Sequence, residues 1–444
     1  MYECGADLEI ANAVAIGRVI AFLETLAGLG DHGACECSRP QAPDSSVSAL
    51  DIQRLRSDTP GCQERVHLNN AGSGLMPGPV VRAIQDHITL ESRIGGYEAA
   101  EARQDAVQDA YRSLAHLIGA QPRNIAFTEN ATASFIQALS SVRLQRGDVI
   151  LTTRNDYASN QIQFLSLQAR LGVRIVRAPD HSQGGVDVQA MDELIRRLSP
   201  KLVCVTHVPT NSGLIQDVTA IGSLCRNAGV LYLVDACQSI GQLPIDVAGL
   251  GCDFLSASAR KYLRGPRGAG FLYVSDRVLD LGLEPLFIDM RGADWIAEDR
   301  YRALPDARRF ENWEFAWALV LATGEAARYA TALGIEPIRW RIAALATRLR
   351  ERLGSIGQVR LLDRGSDLCG IVSVAIAGHD PGELVSALRA RGINTSAQIR
   401  EYAVIDYDDK RVSSSLRISP HYYNTEEEID LAVSAIRELL AARS

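Results

Sequence analysis

The chain contains very little lysine: of its 46 lysine and arginine residues, only Lys201, Lys261 and Lys410 are lysines. Arginine can hold a phosphate or a carboxylate, but its guanidinium stays protonated and cannot form a Schiff base. Covalent amine chemistry would therefore have three candidate residues. Lys201 begins an apolar segment and Lys410 lies in a charged run that looks exposed, whereas Lys261 lies between an apolar segment and a glycine-rich turn. Ser258 and Arg260, which suit a phosphate, lie beside Lys261.

The sequence also lacks a long basic tract and a long apolar run. Its net charge is −7, so nucleic acid is not an expected partner. No uninterrupted apolar stretch is long enough to span a bilayer, and the acidic start lacks the basic region of a signal peptide. We therefore expect a cytoplasmic protein that acts without a membrane.

Cysteine is present without a regular spacing. The nine cysteines are odd in number and mostly lie in apolar segments, which is typical of reduced thiols in a cytoplasmic protein. Cys35-Glu-Cys37, with His32 nearby, could hold a metal ion, but a zinc site needs four ligands at recognisable spacing. A linker with two free thiols is the favoured interpretation, and we predict no metal site.

An apolar run that ends in a carboxylate lies upstream of Lys261. Leu231–Asp235 is typical of a buried parallel strand with its aspartate at the carboxyl end, where α/β sheets bind ligands. Pyridoxal-phosphate enzymes use such an aspartate to keep the pyridine nitrogen protonated, and a lysine elsewhere to carry the cofactor covalently. Asp235 and Lys261 are therefore predicted to be the catalytic pair.

A third motif, Thr128-Glu-Asn-Ala-Thr132, opens a predicted helix after a short strand. Backbone N–H groups at a helix start, helped by a hydroxyl, bind phosphate. We assign Ala131 and Thr132 to the cofactor phosphate. In the alternative, Asn130 or Thr132 only caps the helix, which is compatible with phosphate binding.

Together with Thr206–Gly213, these motifs resemble the class V aminotransferases of pyridoxal-phosphate fold type I. That family includes cysteine desulfurases, isopenicillin N epimerase and ergothioneine C–S lyases, and the resemblance extends from about His67 to Glu438. It implies an α/β fold with a large domain built on a mainly parallel, doubly wound sheet and a smaller C-terminal α+β domain. It also implies pyridoxal 5'-phosphate as cofactor, an amino-acid substrate and a homodimer.

The alternation of strands and helices from Asp148 to Asp235 independently favours a doubly wound, mainly parallel sheet. We expect three parts: an N-terminal helical extension and linker over residues 1–60, with its helix over 7–29, a large cofactor-binding domain over 61–325, and a small domain over 326–444.

The resemblance implies further cofactor contacts. In desulfurases a histidine stacks on the cofactor ring from the loop after the strand at Asp148, and here Tyr157 is the aromatic residue available. Asn211 and Gln238 correspond to residues that bind the ring hydroxyl and the substrate, although either could be a structural amide at a strand end. The complete predicted cofactor site is Ala131, Thr132, Tyr157, Asn211, Asp235, Gln238, Ser258, Arg260 and Lys261.

On the substrate side, the resemblance implies Asn70, Trp313 and Arg417. Asn70 lies in a glycine-rich loop, with Asn69 as the alternative. Asn312 and Trp313 replace a Gly-Thr pair that contacts the neighbouring subunit's phosphate in the family, so Trp313 could instead line the substrate pocket of its own or the partner subunit, or pack in the core. Arg417 would bind the substrate α-carboxylate bidentately.

The residues leave the reaction open. Abstraction of the Cα proton by Lys261, with Asp235 at the ring nitrogen, is common to elimination, transamination and epimerisation. Desulfurases carry a catalytic cysteine in the loop before the arginine strand, but no cysteine follows Cys369, so desulfuration is disfavoured. The leading hypothesis is a C–S lyase acting on a cysteine S-conjugate, as in lincosamide antibiotic and other natural-product pathways. The alternatives are an aminotransferase, an epimerase or a decarboxylating deaminase.

Overall fold

The computed structural model describes residues 50–442. The helix predicted over 7–29 and the Cys35-Glu-Cys37 pair lie outside the described residues. The described residues form one compact unit. The predicted boundaries after residues 60 and 325 stay predictions.

Fifteen strands lie within the described residues. They are β1 (Val66–His67), β2 (Ile125–Thr128), β3 (Val149–Thr152), β4 (Arg174–Arg177), β5 (Leu202–Thr206), β6 (Leu231–Asp235), β7 (Phe254–Ser258), β8 (Gly270–Val274), β9 (Ala293–Ala297), β10 (Arg300–Ala303), β11 (Val359–Leu361), β12 (Val372–Ile376), β13 (Ile393–Asn394), β14 (Ser396–Ile399) and β15 (Ser414–Ile418).

The same part of the chain forms fifteen α-helices. They are α1 (Ile52–Ser57), α2 (Gly78–Ile94), α3 (Gly96–Ala102), α4 (Gln104–Leu117), α5 (Ala131–Ser141), α6 (Ala158–Leu171), α7 (Val188–Leu198), α8 (Val218–Ala228), α9 (Val247–Leu250), α10 (Asp276–Asp280), α11 (Trp317–Leu333), α12 (Ile335–Gly354), α13 (Pro381–Ala390), α14 (Val404–Lys410) and α15 (Glu426–Ala441). None of them combines the length and apolarity needed to cross a bilayer.

A seven-stranded sheet carries the large part of the molecule, in the order β2-β8-β7-β6-β5-β3-β4. Only β8 runs antiparallel to its neighbours β2 and β7, while the remaining pairs are parallel. The predicted α/β class with a mainly parallel sheet is therefore confirmed. Because the parallel strands share one direction, their carboxyl ends meet at a single edge, where ligands bind in such sheets.

Apolar side chains cover both faces of this sheet. Along β5, Val203 and Val205 join one buried cluster and Leu202 and Cys204 join another. Successive side chains of a strand point to opposite faces, so helices must cover both faces for every residue to be buried. This explains why the central strands are continuous apolar runs in the sequence.

The C-terminal part has its own sheet and core. Four antiparallel strands lie in the order β11-β12-β15-β14, and helices α12, α13 and α15 contribute to the buried cluster that they share. Leu68, from the beginning of the described chain, is buried in the same cluster. The loop after β1 is thereby fixed beside β15, and Asn69 forms an isolated bridge with Ser419.

Lys410 is buried, although the charged residues around it in the sequence predicted an exposed position. Its side chain is 3% exposed, and its Nζ lies 2.7 Å from Asp406 Oδ2, one turn earlier on α14. Burial of a lysine is tolerated because the carboxylate compensates its charge. Of the three lysines, Lys201 alone is exposed.

Candidate active site

A cavity of about 480 Å³ lies at the carboxyl ends of the central strands. Of the predicted cofactor residues, those that line it are Ala131, Thr132, Tyr157, Asp235, Gln238, Ser258, Arg260 and Lys261. These residues come from separate segments of the chain, and the sheet brings them to one place.

The start of α5 forms one end of the cavity. Asn130 caps this helix by accepting a hydrogen bond from the Ala133 amide at 3.0 Å. The Ala131 amide donates to Ser258 Oγ at 3.1 Å, which joins the helix start to the end of β7. A helix start with an adjacent hydroxyl suits the phosphate of a cofactor. Asn130 therefore caps the helix without competing for this role.

Lys261 follows β7 and is buried, with 6% of the residue exposed. Its Nζ lies 5.9 Å from the centre of the Tyr157 ring. The glycine loop packs against the lysine's backbone, because a Cβ atom on Gly74 would lie 2.6 Å from the Lys261 carbonyl oxygen. Arg260 donates to the carbonyl of Gly72 in the same loop. The turn thus holds the amine inside the cavity.

Asp235 ends β6 and is buried at the same cavity. Its Oδ1 accepts the Cys237 amide and its Oδ2 accepts the Asn160 side-chain amide, each at 2.9 Å. Burial raises the pKa of this carboxyl group, while the Cys237 amide, the Lys261 ammonium and the Asn160 amide act in the opposite direction. A cationic partner, such as a protonated pyridine nitrogen, would favour the charged carboxylate.

The residues present fit pyridoxal phosphate. A helix start with a hydroxyl, a buried amine and a buried carboxylate correspond to its phosphate, aldehyde and ring nitrogen. Two polar atoms close to this arrangement, Gln238 Oε1 and Arg417 Nε, are buried without a hydrogen-bond partner. Such atoms are rare in folded proteins unless a ligand or water satisfies them.

Tyr157 is held by the ends of two strands. Its amide donates to Thr206 Oγ1 at 3.2 Å, and the neighbouring Asp156 accepts the Thr206 amide at 3.0 Å. Asp156 also accepts the Thr153 hydroxyl at 3.0 Å. Burial raises the pKa of Asp156 to about 6. This network fixes the tyrosine ring at the wall of the cavity.

Arg417 lies on β15, behind the wall of this cavity. Its Nη1 donates to the carbonyl and the hydroxyl of Thr210, both at 2.9 Å, and its Nη2 donates to Asn69 Oδ1 at 3.3 Å. Burial lowers its pKa to about 10, and no carboxylate is among the groups that act on it most strongly. Thr210 lines the cavity, so the guanidinium is one residue removed from it.

Asn70 and Asn211 do not line the cavity. The Asn70 amide donates to the carbonyls of His67 and Ser419, and its Oδ1 accepts the Tyr423 hydroxyl. Asn211 donates to Asp406 at 2.6 Å. In both turns the preceding residue faces the site instead: Asn69 contacts Arg417, and Thr210 lines the cavity. Successive side chains in an extended turn point in opposite directions. This explains why the residue before each predicted one, Asn69 or Thr210, is on the side of the site.

Trp313 is also absent from this cavity. It is half exposed and, with Phe315, lines a separate cavity of about 330 Å³. Its amide donates to Asp289 at 2.6 Å. Trp313 is therefore neither a core residue nor a wall of the cavity around Lys261, which are two of the roles considered for it.

Several lining residues were not assigned to the cofactor or substrate from the sequence. They are Glu129, Asn130, Asn160, Thr206, Val208, Thr210, Cys237, Arg267 and Gly268. The sequence position of Asn160 could have indicated a site residue, since it lies three residues after Tyr157 at the same helix start. Within residues 50–442, no three His, Cys, Asp or Glu side chains are grouped as metal ligands.

The fold and the site define a pyridoxal-phosphate-dependent enzyme. The model of the family described as "Aminotransferase class-V" matches residues 66–431, and the chain belongs to this family. The expected family, cofactor and enzyme class are therefore confirmed.

Similar proteins of this family are named cysteine desulfurases. A probable cysteine desulfurase of Methanothermobacter thermautotrophicus is 29% identical over 392 residues, covering 87% of this chain and 97% of that protein. One from Synechocystis sp. is 30% identical, covering 84% and 90%. The solved structure of a cysteine desulfurase from Thermococcus onnurineus NA1 has a TM-score of 0.82 and 25% identity, covering 89% and 100%.

These relatives correct the reaction hypothesis drawn from the sequence. A C–S lyase acting on a cysteine S-conjugate was the leading hypothesis and desulfuration was disfavoured, which is wrong because the similar proteins are named cysteine desulfurases. The absence of a cysteine before the arginine strand therefore does not exclude desulfuration.

Proposed function

We propose that the protein is a pyridoxal-phosphate-dependent cysteine desulfurase, which breaks the Cβ–S bond of L-cysteine and leaves alanine. The observation that carries the proposal is the convergence of Lys261, Asp235 and the start of α5 on one cavity, with Arg417 behind its wall. The names of the similar proteins favour desulfuration over the other reactions that this arrangement permits.

Each group has a defined task in this proposal. When bound, pyridoxal phosphate supplies an electron sink that makes the Cα proton of an amino acid acidic. The Lys261 amine holds the cofactor and then removes and returns protons at the substrate's Cα. Asp235 keeps the ring nitrogen protonated, because a buried carboxylate favours a cation beside it. The α5 start and Ser258 hold the phosphate.

Arg417 supports recognition of the substrate carboxylate. Its Nε is buried without a partner, and its remaining donors contact only neutral oxygens of Thr210 and Asn69. A buried guanidinium without a carboxylate is costly, and a substrate carboxylate would compensate its charge. Release of the weak Asn69 contact would free Nη2 for a bidentate pair with the substrate.

The thiol that accepts sulfur is proposed to be a separate molecule rather than one of the described cysteines. The segment between β13 and β15 contains no cysteine. Burial raises the pKa of Cys62 to about 11 and of Cys225 and Cys369 to about 12, and it also raises the pKa of Cys204 and Cys252, so these thiols stay protonated. Cys237 lines the same cavity as Lys261, so the Cys237→Ser variant described below tests whether its thiol accepts sulfur.

The proposed reaction is balanced with one external thiol. Cysteine and a thiol RSH give alanine and a persulfide RSSH: the Cβ–S bond breaks, an S–S bond forms, and one proton replaces sulfur on the carbon. The thiol sulfur is oxidised and the substrate carbon is reduced. A second thiol then releases sulfide and forms a disulfide.

A homodimer is proposed on the basis of an exposed apolar surface. The hairpin of β9 and β10 exposes Trp295 to 80%, together with Ile296 and Tyr301, and Phe287 and Met290 before the hairpin are also exposed. Contiguous apolar surface of this kind marks interaction sites. A sedimentation measurement at micromolar concentration should give twice the 48.2 kDa chain mass, and replacement of Trp295 and Tyr301 by serine should shift it to the monomer.

We also propose that the enzyme acts in the cytoplasm on a free amino acid. The five buried cysteines described above are single thiols rather than disulfides, as expected of a reducing compartment.

The test of the proposed function is thiol-dependent alanine formation. Holoenzyme with L-cysteine should form alanine slowly alone and faster as dithiothreitol is added, and Cys237→Ser should keep this dependence. A dependence that disappears in the Cys237→Ser variant would identify Cys237 as the acceptor. Alanine formation that ignores added thiol would overturn the external acceptor, and no alanine with any thiol would overturn desulfuration.

A further inference from the structure

Asn160 has a buried side-chain amide that lines the cavity and forms a hydrogen bond with Asp235. It lies in the first turn of α6, its residue is 3% exposed, and its side chain lines the cavity. Its Nδ2 donates to Asp235 Oδ2 at 2.9 Å. The same helix start carries Tyr157, whose carbonyl accepts the Asn160 backbone amide at 3.0 Å. Helix α6 thus presents a ring and an amide to the cofactor cavity together.

The two oxygens of Asp235 are held from different elements. Cys237, after β6, donates its backbone amide to Oδ1, and Asn160, on α6, donates its side-chain amide to Oδ2. A carboxylate with one donor on each oxygen has a fixed plane and retains a lone pair on each oxygen for a further donor. Hydrogen bonds to the charged form also favour that form. The Asn160 contact is the only one of the two that a side-chain substitution can remove.

We propose that Asn160 is a positioning residue that holds the Asp235 carboxylate in the plane and charge state needed to pair with the protonated ring nitrogen of pyridoxal phosphate. The proposal concerns the cofactor and does not depend on which reaction the enzyme catalyses. A purely structural amide would affect stability but not the electronic state of the bound cofactor.

Replacement of Asn160 by alanine tests the proposal through the cofactor itself. Loss of a hydrogen bond to a charged group should weaken pyridoxal phosphate binding by about tenfold. It should also shift the pH titration of the holoenzyme's visible absorbance, which reports the protonation of the lysine–cofactor linkage. The matched control is Ser166→Ala, an exposed position on the same helix, which should leave both measurements unchanged.

A near-isosteric variant, Asn160→Asp, keeps the proposal testable if the alanine variant misfolds. In Asn160→Asp, the introduced carboxyl group can donate a hydrogen bond to Asp235 only when it is protonated. The other charged groups that act on Asp235 are Lys261 and Asp156, and both are unchanged in this variant. Cofactor affinity should therefore be near the wild-type value at low pH and fall as pH rises. The proposal is overturned if both variants bind the cofactor with wild-type affinity and give the wild-type absorbance titration, or if the N160D affinity does not depend on pH more than that of the wild type.

Discussion

Asn69 Oδ1 accepts a hydrogen bond from Arg417 Nη2 at 3.3 Å, joining the loop after β1 to β15, the last strand of the described chain. The two segments are held together by backbone contacts, since the Asn70 amide donates to the carbonyl of Ser419 at 3.3 Å. The proposed carboxylate site is therefore assembled from both ends of the described chain around Thr210, which also contacts Arg417.

Replacement of Arg417 by lysine should raise the KM for L-cysteine by about tenfold or more, because an ammonium cannot make the planar, bidentate contact of a guanidinium. The kcat should change less, provided that the carboxylate is bound similarly before and after proton transfer. Steady-state kinetics of alanine formation measure both values. Arg170→Lys, at an exposed position, is the control. An unchanged KM in the Arg417 variant would exclude the proposed carboxylate contact.

Replacement of Lys261 by alanine should abolish both the visible absorbance of the bound cofactor and alanine formation, because no other lysine reaches the cavity. Lys201 is exposed, and Lys410 is paired with Asp406. Lys201→Ala should therefore keep the wild-type spectrum and rate. Mass spectrometry after borohydride reduction should find the cofactor on Lys261 alone, and its attachment elsewhere would contradict the assignment.

Replacement of Ser258 by alanine should weaken pyridoxal phosphate binding by about tenfold, since it removes a hydroxyl that links the α5 start to the end of β7. The dissociation constant of the cofactor can be measured by fluorescence titration of the apoenzyme. Ser355→Ala, an exposed serine, is the control and should be silent. If the Ser258 variant binds the cofactor with wild-type affinity, the Ser258 hydroxyl is not part of the phosphate site.

The buried Asp156 should make stability fall as pH rises. Its pKa is raised by burial from 3.8 to about 6. The folded protein therefore holds this proton more tightly than the unfolded chain, and the associated stability is present below pH ~4 and lost as pH rises through about 6. The difference in unfolding free energy across this range is about 3 kcal/mol.

Urea unfolding of wild type and Asp156→Asn between pH 4 and 7 measures this contribution. The variant lacks the titrating group, so its unfolding free energy should decrease less over the range. Equal pH dependence in the two proteins would show that Asp156 is not the group responsible.

The sequence was sufficient to predict the mainly parallel sheet and to place Lys261 and Asp235 at one cavity, whereas their catalytic roles stay proposals. Buried parallel strands are continuous apolar runs, and their carboxyl ends must converge, so residues placed at those ends meet whatever the loop lengths. Ser258 and the start of α5 also lie at strand ends, and both line this cavity.

The sequence was not sufficient to choose between adjacent residues in turns. Asn69 and Asn70, or Thr210 and Asn211, differ only in the direction of their side chains. That direction is set by distant partners, such as Tyr423 for Asn70 and Asp406 for Asn211. The burial of Lys410 likewise depends on tertiary packing, although the spacing of four residues from Asp406 is a pattern that predicts an ion pair.

The central claim is tested most directly by the products formed from L-cysteine in deuterated water with excess dithiothreitol. Mass spectrometry and a sulfide assay should give equal amounts of alanine and sulfide, with deuterium on the alanine methyl carbon because a solvent hydron replaces sulfur there. Lys261→Ala should form neither product. Sulfide accompanied by pyruvate and ammonia, without alanine, would contradict the account.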